Sequence, residues 1–253
     1  MVSHAAHITT EGIQRFHSSP GAETALVCFA HAGGAAGYYR PLSAALSPGI
    51  DVLAIQYPGR QNRRTEPLAG TIDQLVDDSM EALAPWTHRP LALFGHSMGA
   101  VVAYEVAGRL TAAGGPPLTL IVSGCRAPGE EPGHEVHVRD DDGLVAEIRR
   151  LGGTDTRVLD DPEMRALFLP ALRADYRAVE TYRHAGGPRL PCPVLALAGD
   201  TDPVASPADM RHWAAWTSAR FDLLSFDGGH FYLADRYTAV ASAVRDHVIA
   251  LTR

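Results

Sequence analysis

A doubly wound α/β fold follows from two features of the chain. Strand-length apolar runs alternate with helical patterns along most of its length, and several of those runs are apolar at successive positions. Such runs fit strands of a parallel sheet covered by helices on both faces, whereas a half-exposed sheet would alternate apolar and polar residues. With 253 residues and 46% hydrophobic content, the chain can bury a large core, and residues 1–253 are read as a single domain.

The strand-like runs are "TALVCFA" (24–30), "DVLAIQY" (51–57), "PLALFG" (90–95), "LTLIVSG" (118–124), "PVLALAG" (193–199) and "FDLLSF" (221–226). Helical patterns fall between them. In "TIDQLVDDSMEALAPW", Thr71 is placed to cap a helix whose apolar side holds Ile72, Leu75, Val76 and Leu83. "MGAVVAYEVAGRL" forms the next apolar helix, and "SPADMRHWAAW" sets Ser206 as a cap with Pro207 at the first helical position. The C-terminal "RYTAVASAVRDHVIALT" has helical periodicity as well.

One region breaks the rhythm. From about residue 128 to 189 there is no strand-like run, only the helical segments "DDGLVAEIRRLGG" and "PEMRALFLPALRADYRAVETYR". An all-helical insertion between two strands lies near the C-terminal edge of the sheet, where α/β sites form, so it is expected to be a lid. Leu144, Val145 and Ile148, and more loosely Leu167, Leu169, Leu172 and Tyr176, have helical spacing and are expected to line an apolar pocket beneath it.

Composition excludes several function classes. All 22 basic residues are arginine, which removes Ser-Lys dyads, Schiff-base chemistry and the phosphate-binding P-loop. A net charge of −7 argues against nucleic acid as the main partner. The N-terminus lacks a basic region followed by an apolar core, and no window is long and apolar enough to span a membrane, so a cytoplasmic location is expected. Cys28, Cys125 and Cys192 are odd in number and widely spaced, which speaks against a disulfide framework.

The candidate chemistry centres on Gly95-His96-Ser97-Met98-Gly99, a G-x-S-x-G element between a strand and a helix. Two glycines bracketing a serine make a sharp turn that exposes the hydroxyl, and the helix N-terminus behind it favours a developing oxyanion. Taken alone, the pentapeptide is also compatible with a tight turn carrying an incidental serine. The partners come later in the chain, in the order acid then histidine. His230, in "SFDGGHFYL" after the last strand, is the candidate base that would take the Ser97 proton. Asp202, in "LALAGDTDPVAS", is the favoured acid, with Asp200 as the alternative expected to hydrogen-bond its own turn and Asp227 assigned to a turn as well.

The oxyanion hole is expected to combine the backbone N–H of Met98 with that of Ala32, in the glycine-rich "HAGGAAGYY" after the first strand. His31 is expected to shape that loop, and His96 to pack beside the serine turn. No H-E-x-x-H or Cys/His ligand spacing occurs, so metal catalysis is not expected.

"FAHAGGAAGYYRPL", "QYPGRQNRR", "LFGHSMGA", "RRLGGT", "LPALRADYRAVETY", "GDTDPVAS" and "FDGGHFYL" together resemble the type II thioesterases, stand-alone α/β-hydrolases that accompany polyketide and nonribosomal peptide synthases. The resemblance runs from about residue 24 to 235, with Ala30 where the family usually has proline. It implies hydrolysis of acyl thioesters carried on the phosphopantetheine arm of an acyl or peptidyl carrier protein, as an editor of aberrant or stalled chains and without a cofactor. A carboxylesterase or lipase acting on free esters, a catalytically dead binding protein and a releasing domain cut from a synthase are the competing readings. The initial methionine and short tail are those expected of a separate protein. Because carrier proteins of this kind tend to be acidic, docking is expected to use a local basic patch of Arg126, Arg139, Arg149, Arg150 and Arg157.

Overall fold

The computed structural model describes residues 12–130, 135–152 and 159–252. Among these residues seven strands, β1 (Ile13–Gln14), β2 (Ala25–Phe29), β3 (Asp51–Ile55), β4 (Leu91–His96), β5 (Thr119–Ser123), β6 (Val194–Gly199) and β7 (Phe221–Phe226), form one sheet in the order β1-β3-β2-β4-β5-β6-β7. β2 to β7 run parallel to their neighbours, and β1 alone is antiparallel, with Ile13 opposite Ile55. Each expected run contains one of β2 to β7. β1 is an addition, since two residues are too few to carry a period.

Every residue of β2 to β6 is buried, which accounts for their unbroken apolar character. β7 is the sheet edge and is only partly covered. Among the described residues, eight α-helices flank or cap the sheet: α1 (Arg40–Leu46), α2 (Ile72–Leu83), α3 (Met98–Ala112), α4 (Asp141–Leu151), α5 (Pro162–Thr181), α6 (Pro207–Met210), α7 (Tyr232–Asp235) and α8 (Tyr237–Leu251). Thr71 caps α2 by accepting the Gln74 N–H at 3.2 Å. Ser206 and Asp209 cap α6 reciprocally, with Pro207 in its first turn. α6 is shorter than its periodicity implies, because a 3-10 helix takes over at Arg211–Trp216. α1 and α7, a few residues each, lie below what a helical period can reveal.

β3 lies on one side of β2 and β4 on the other, so the chain reverses direction across the sheet at β2. In open α/β sheets the crevice beyond the strand ends at such a reversal is where ligands bind. The loops after β2 and β4 both emerge there.

Between β5 and β6 the described residues form α4 and α5, capped by the Asp140 and Asp161 carboxylates. This insertion has its own small core of Val136, Leu144, Val145, Leu159, Leu169 and Leu172, against which Ala32, Ile148 and Tyr176 pack. The expected pocket lining is corrected accordingly. Leu144, Val145, Leu169 and Leu172 join the two helices to each other, and Leu167 is 61% exposed. Gly153 and Thr154 of the "RRLGGT" motif, and Arg157, lie outside the described residues. No helix among the described residues is long and apolar enough to cross a membrane.

Candidate active site

β4 runs into Ser97, whose backbone takes φ 55° and ψ −125°, and α3 begins at the next residue. A positive φ costs a non-glycine residue on the order of 1–3 kcal/mol and survives only where the surroundings impose it. Here the surroundings are backbone. A Cβ on Gly95 would fall 2.1 Å from the Gly99 carbonyl oxygen, and one on Gly99 would fall 2.0 Å from that of Phe29 in β2. The glycines of the motif are thus where strand and helix touch directly. The Ser97 N–H donates to the Ser123 carbonyl at 2.8 Å, tying the turn to β5.

The loops after β6 and β7 bring the other two groups to the serine. His230 Nε2 is 3.0 Å from Ser97 Oγ, and His230 Nδ1 is 2.9 Å from Asp202 Oδ2. An ionised carboxylate only accepts, so Nδ1 carries the proton and Nε2 is left to accept from the serine hydroxyl. Both His230 and Asp202 are buried. The N–H groups of Val204 and Ala205 donate to Asp202 Oδ1 at 2.8 and 3.4 Å and fix the carboxylate from behind.

Asp200 is exposed and turned away from the histidine ring. Its carboxylate accepts the Gly228 N–H at 2.8 Å, so it ties the β6 loop to the loop carrying His230 rather than bonding within its own turn. Asp227 is exposed and lies 3.6 Å from Arg236.

Ser97 and His230 open into a cavity of about 250 Å³ that the insertion and the strand-end loops enclose together. Ala32 and Met98 lie on its wall, and among the described residues neither backbone N–H has a partner. The apolar wall includes Val101, Ala127, Val136, Leu151, Tyr176 and Val179. Of these, Tyr176 alone was among the expected lining residues. Leu151 and Val179 follow from how α4 and α5 rotate on their shared core, and Val101, Ala127 and Val136 come from α3 and the segment after β5, which helical periodicity in the insertion cannot report.

A thioesterase domain model matches residues 24–248. The chain belongs to the thioesterase family. This thioesterase is 46% identical over 239 residues to Thioesterase PikA5 of Streptomyces venezuelae, an alignment covering 94% of this chain and 85% of that one. It is 45% identical over 232 residues to the probable cadicidin biosynthesis thioesterase of Streptomyces griseus, covering 92% of this chain and 64% of that longer relative. Among solved structures it superposes on the type II thioesterase BorB from the borrelidin biosynthetic cluster with a TM-score of 0.88 and 42% identity, over 96% of this chain and all of BorB. The thioesterase is therefore a thioester hydrolase of the α/β-hydrolase fold, as the motifs imply.

Two further histidines of the thioesterase stand behind Ser97 and His230. His31 packs edge-on against Tyr38 and Phe231 with ring centres 4.6 and 4.8 Å apart, and His96 lies 5.1 Å from His230. Burial lowers the His31 pKa to about 3, helped by the nearby His230 and Arg60 charges, and burial also holds His96 well below its ordinary value. Both rings therefore stay neutral near pH 7. The Cys125 thiol on the cavity wall is pushed up to about 12 by burial and by Asp202 and Glu130, which leaves it protonated.

The basic patch expected on the insertion of the thioesterase is largely consumed internally. Arg139 and Arg150 both pair with Glu147, at 3.2 and 2.6 Å, and Arg149 pairs with Asp160 at 2.6 Å. Arg126 donates to the Val204 carbonyl at 3.1 Å. Charge counted along the sequence misses this because the acids come from α4 itself and from the residue just before the α5 cap.

Proposed function

We propose that Ser97, His230 and Asp202 are the catalytic triad of an editing thioesterase, which hydrolyses aberrant or stalled acyl groups from the phosphopantetheine arm of carrier proteins in polyketide or nonribosomal peptide biosynthesis. The observation that carries the reading is the continuous path from Asp202 through His230 to a serine hydroxyl facing a partly open, largely apolar cavity.

Ser97 Oγ attacks the thioester carbonyl carbon while His230 Nε2 takes the hydroxyl proton. The carbonyl oxygen becomes an oxyanion held by the Ala32 and Met98 N–H groups. Collapse of the tetrahedral intermediate breaks the C–S bond, and His230 returns its proton to the departing thiolate. Water then enters, loses a proton to His230 and attacks the acyl-enzyme. The second intermediate releases the free acid and restores the Ser97 hydroxyl. Asp202 remains ionised throughout, holding the Nδ1 tautomer and stabilising the imidazolium.

α4 and α5 act as a lid whose inner wall holds the acyl chain. The thioester competes well for this site because its thiolate leaves readily, so no metal or cofactor is required. Presenting one acyl group on carrier protein, on coenzyme A and as an oxygen ester tests the reading. The expected order of kcat/KM is carrier above coenzyme A above ester; a preference for the ester would make the protein a carboxylesterase.

A further inference from the structure

We infer that Asp175 and Arg60 are positioning residues of the hydrolytic site: a buried ion pair, joining the insertion to the turn after β3, that aims the Ala32 N–H at the reacting oxygen. The inference rests on the oxyanion reading above and goes beyond it in saying what sets that donor's direction.

The loop after β2 is a tight turn. The Gly34 N–H donates to the His31 carbonyl at 2.9 Å, and Gly33, third of the four residues, has φ +75°. That combination is a type II turn, whose third position favours glycine. The His31 carbonyl and the Ala32 N–H belong to one planar trans peptide unit and point in opposite directions. Holding the His31 carbonyl inside the turn therefore directs the Ala32 N–H outward.

Two side chains hold that turn from outside. Asp175 Oδ2 accepts the Gly33 N–H at 2.7 Å, and Arg60 Nη1 donates to the Gly34 carbonyl at 3.1 Å. The same two side chains clasp each other through Arg60 Nη1 and Nη2 at 2.6 and 2.9 Å. Asp175 is fully buried and Arg60 nearly so. If the pair merely fastened α5 to the body, its mutual bonds would suffice, yet each partner also engages one of the turn's two glycines. The contact is tight, since a Cβ on Gly33 would lie 2.7 Å from Leu172 Cδ1, on α5 near Asp175.

Charge explains why the carboxylate comes with a guanidinium. An unpaired Asp175 beside the turn would oppose a developing oxyanion, and an unpaired buried charge of either sign is unfavourable. Paired, the two add no net charge while still fixing the peptide groups. The Arg60 guanidinium also lies 5.4 Å from the centre of the Tyr57 ring, whose hydroxyl donates to the Ala30 carbonyl at 3.4 Å, so the brace extends to the end of β2.

Two double variants separate positioning from fastening. Arg60→Met with Asp175→Leu replaces the pair by apolar side chains and removes the Gly33 acceptor; Arg60→Met with Asp175→Asn also loses the ion pair but keeps an amide oxygen for Gly33. Three readouts are taken: kcat and KM on an acyl thioester, inhibition by a trifluoromethyl ketone analogue, and the rate of Ser97 labelling by a fluorophosphonate. The first variant should lose about tenfold to a hundredfold in kcat, ketone affinity and labelling rate, with KM within about threefold, because misaiming one donor costs up to what its removal does. The second should recover most of that loss. Equal behaviour of the two variants, or losses confined to KM and thermal stability, would overturn the inference. If a double variant does not fold, Asp175→Ala against Asp175→Asn carries the same comparison. The labelling rate reads the oxyanion site whatever the substrate, so a wild-type protein inactive on thioesters but labelled normally would fail the proposed function without deciding this inference, which the variants' labelling rates then decide.

Discussion

Gly99 at the start of α3 and Phe29 at the end of β2 touch backbone to backbone: a Cβ on the glycine would come within 2.0 Å of the Phe29 carbonyl oxygen. The helix behind the serine is thereby pressed against the strand that leads to the Ala32 turn. The Ser97 turn and the Ala32 loop share one rigid contact. Gly99→Ala should force α3 away from β2, costing about 1–3 kcal/mol or more in stability. It should also slow fluorophosphonate labelling of Ser97 strongly, even in the fraction that remains folded. Thermal melts and labelling time courses check both, and a variant that melts and labels like wild type would show that the two backbones separate at little cost.

Ser97→Ala should fold normally, because the serine side chain is not part of the core, and should lose turnover by about 10⁶ together with all fluorophosphonate labelling. Hydrolysis at the wild-type rate would remove Ser97 as nucleophile.

Asp202→Asn should reduce kcat by about 10⁴, since an amide cannot hold the Nδ1–H tautomer of His230 as a carboxylate does. Asp200→Asn keeps an acceptor for the Gly228 N–H and should cost less than about tenfold, in line with its exposed bracing position. Steady-state kinetics on the two variants side by side make the test. The reverse order would transfer the acid role to Asp200.

Acid should destabilise the fold through His31. The group titrates near 6.5 when free and at about 3 in the folded protein, so between those values the unfolded chain binds more protons. Its contribution is complete above pH 6.5 and is lost as the pH falls toward 3, reaching about 2 kcal/mol at pH 5. His96 is displaced in the same direction and adds to the slope. Melting temperatures from pH 7 to 4 should fall less steeply for His31→Gln than for wild type, and parallel curves would mean that His31 is not buried neutral.

The sequence by itself determined the parts of this protein that rest on local physics. Of the six parallel strands, β2 to β6 were legible because full burial on both faces leaves apolar runs, β7 because a shorter apolar run continues the alternation, and the serine turn because its steric demands fall within five residues. Asp202 and His230 stood out as candidates because each lies just past one of those strands. Tertiary structure decided everything that depends on distant residues meeting. Asp200 and Asp202 both follow β6 and are chemically identical; only the path of the neighbouring β7 loop brings one to His230 and the other to Gly228. Which sides of α4 and α5 face the cavity depended on how the two helices pack on each other, and apolar spacing identified the side that joins them instead. Arg139, Arg149 and Arg150 read as a basic patch along the chain and are paired with Glu147 and Asp160 in space. Arg60 and Asp175 are 115 positions apart, and no local pattern marks two buried opposite charges as partners before the fold excludes water from around both.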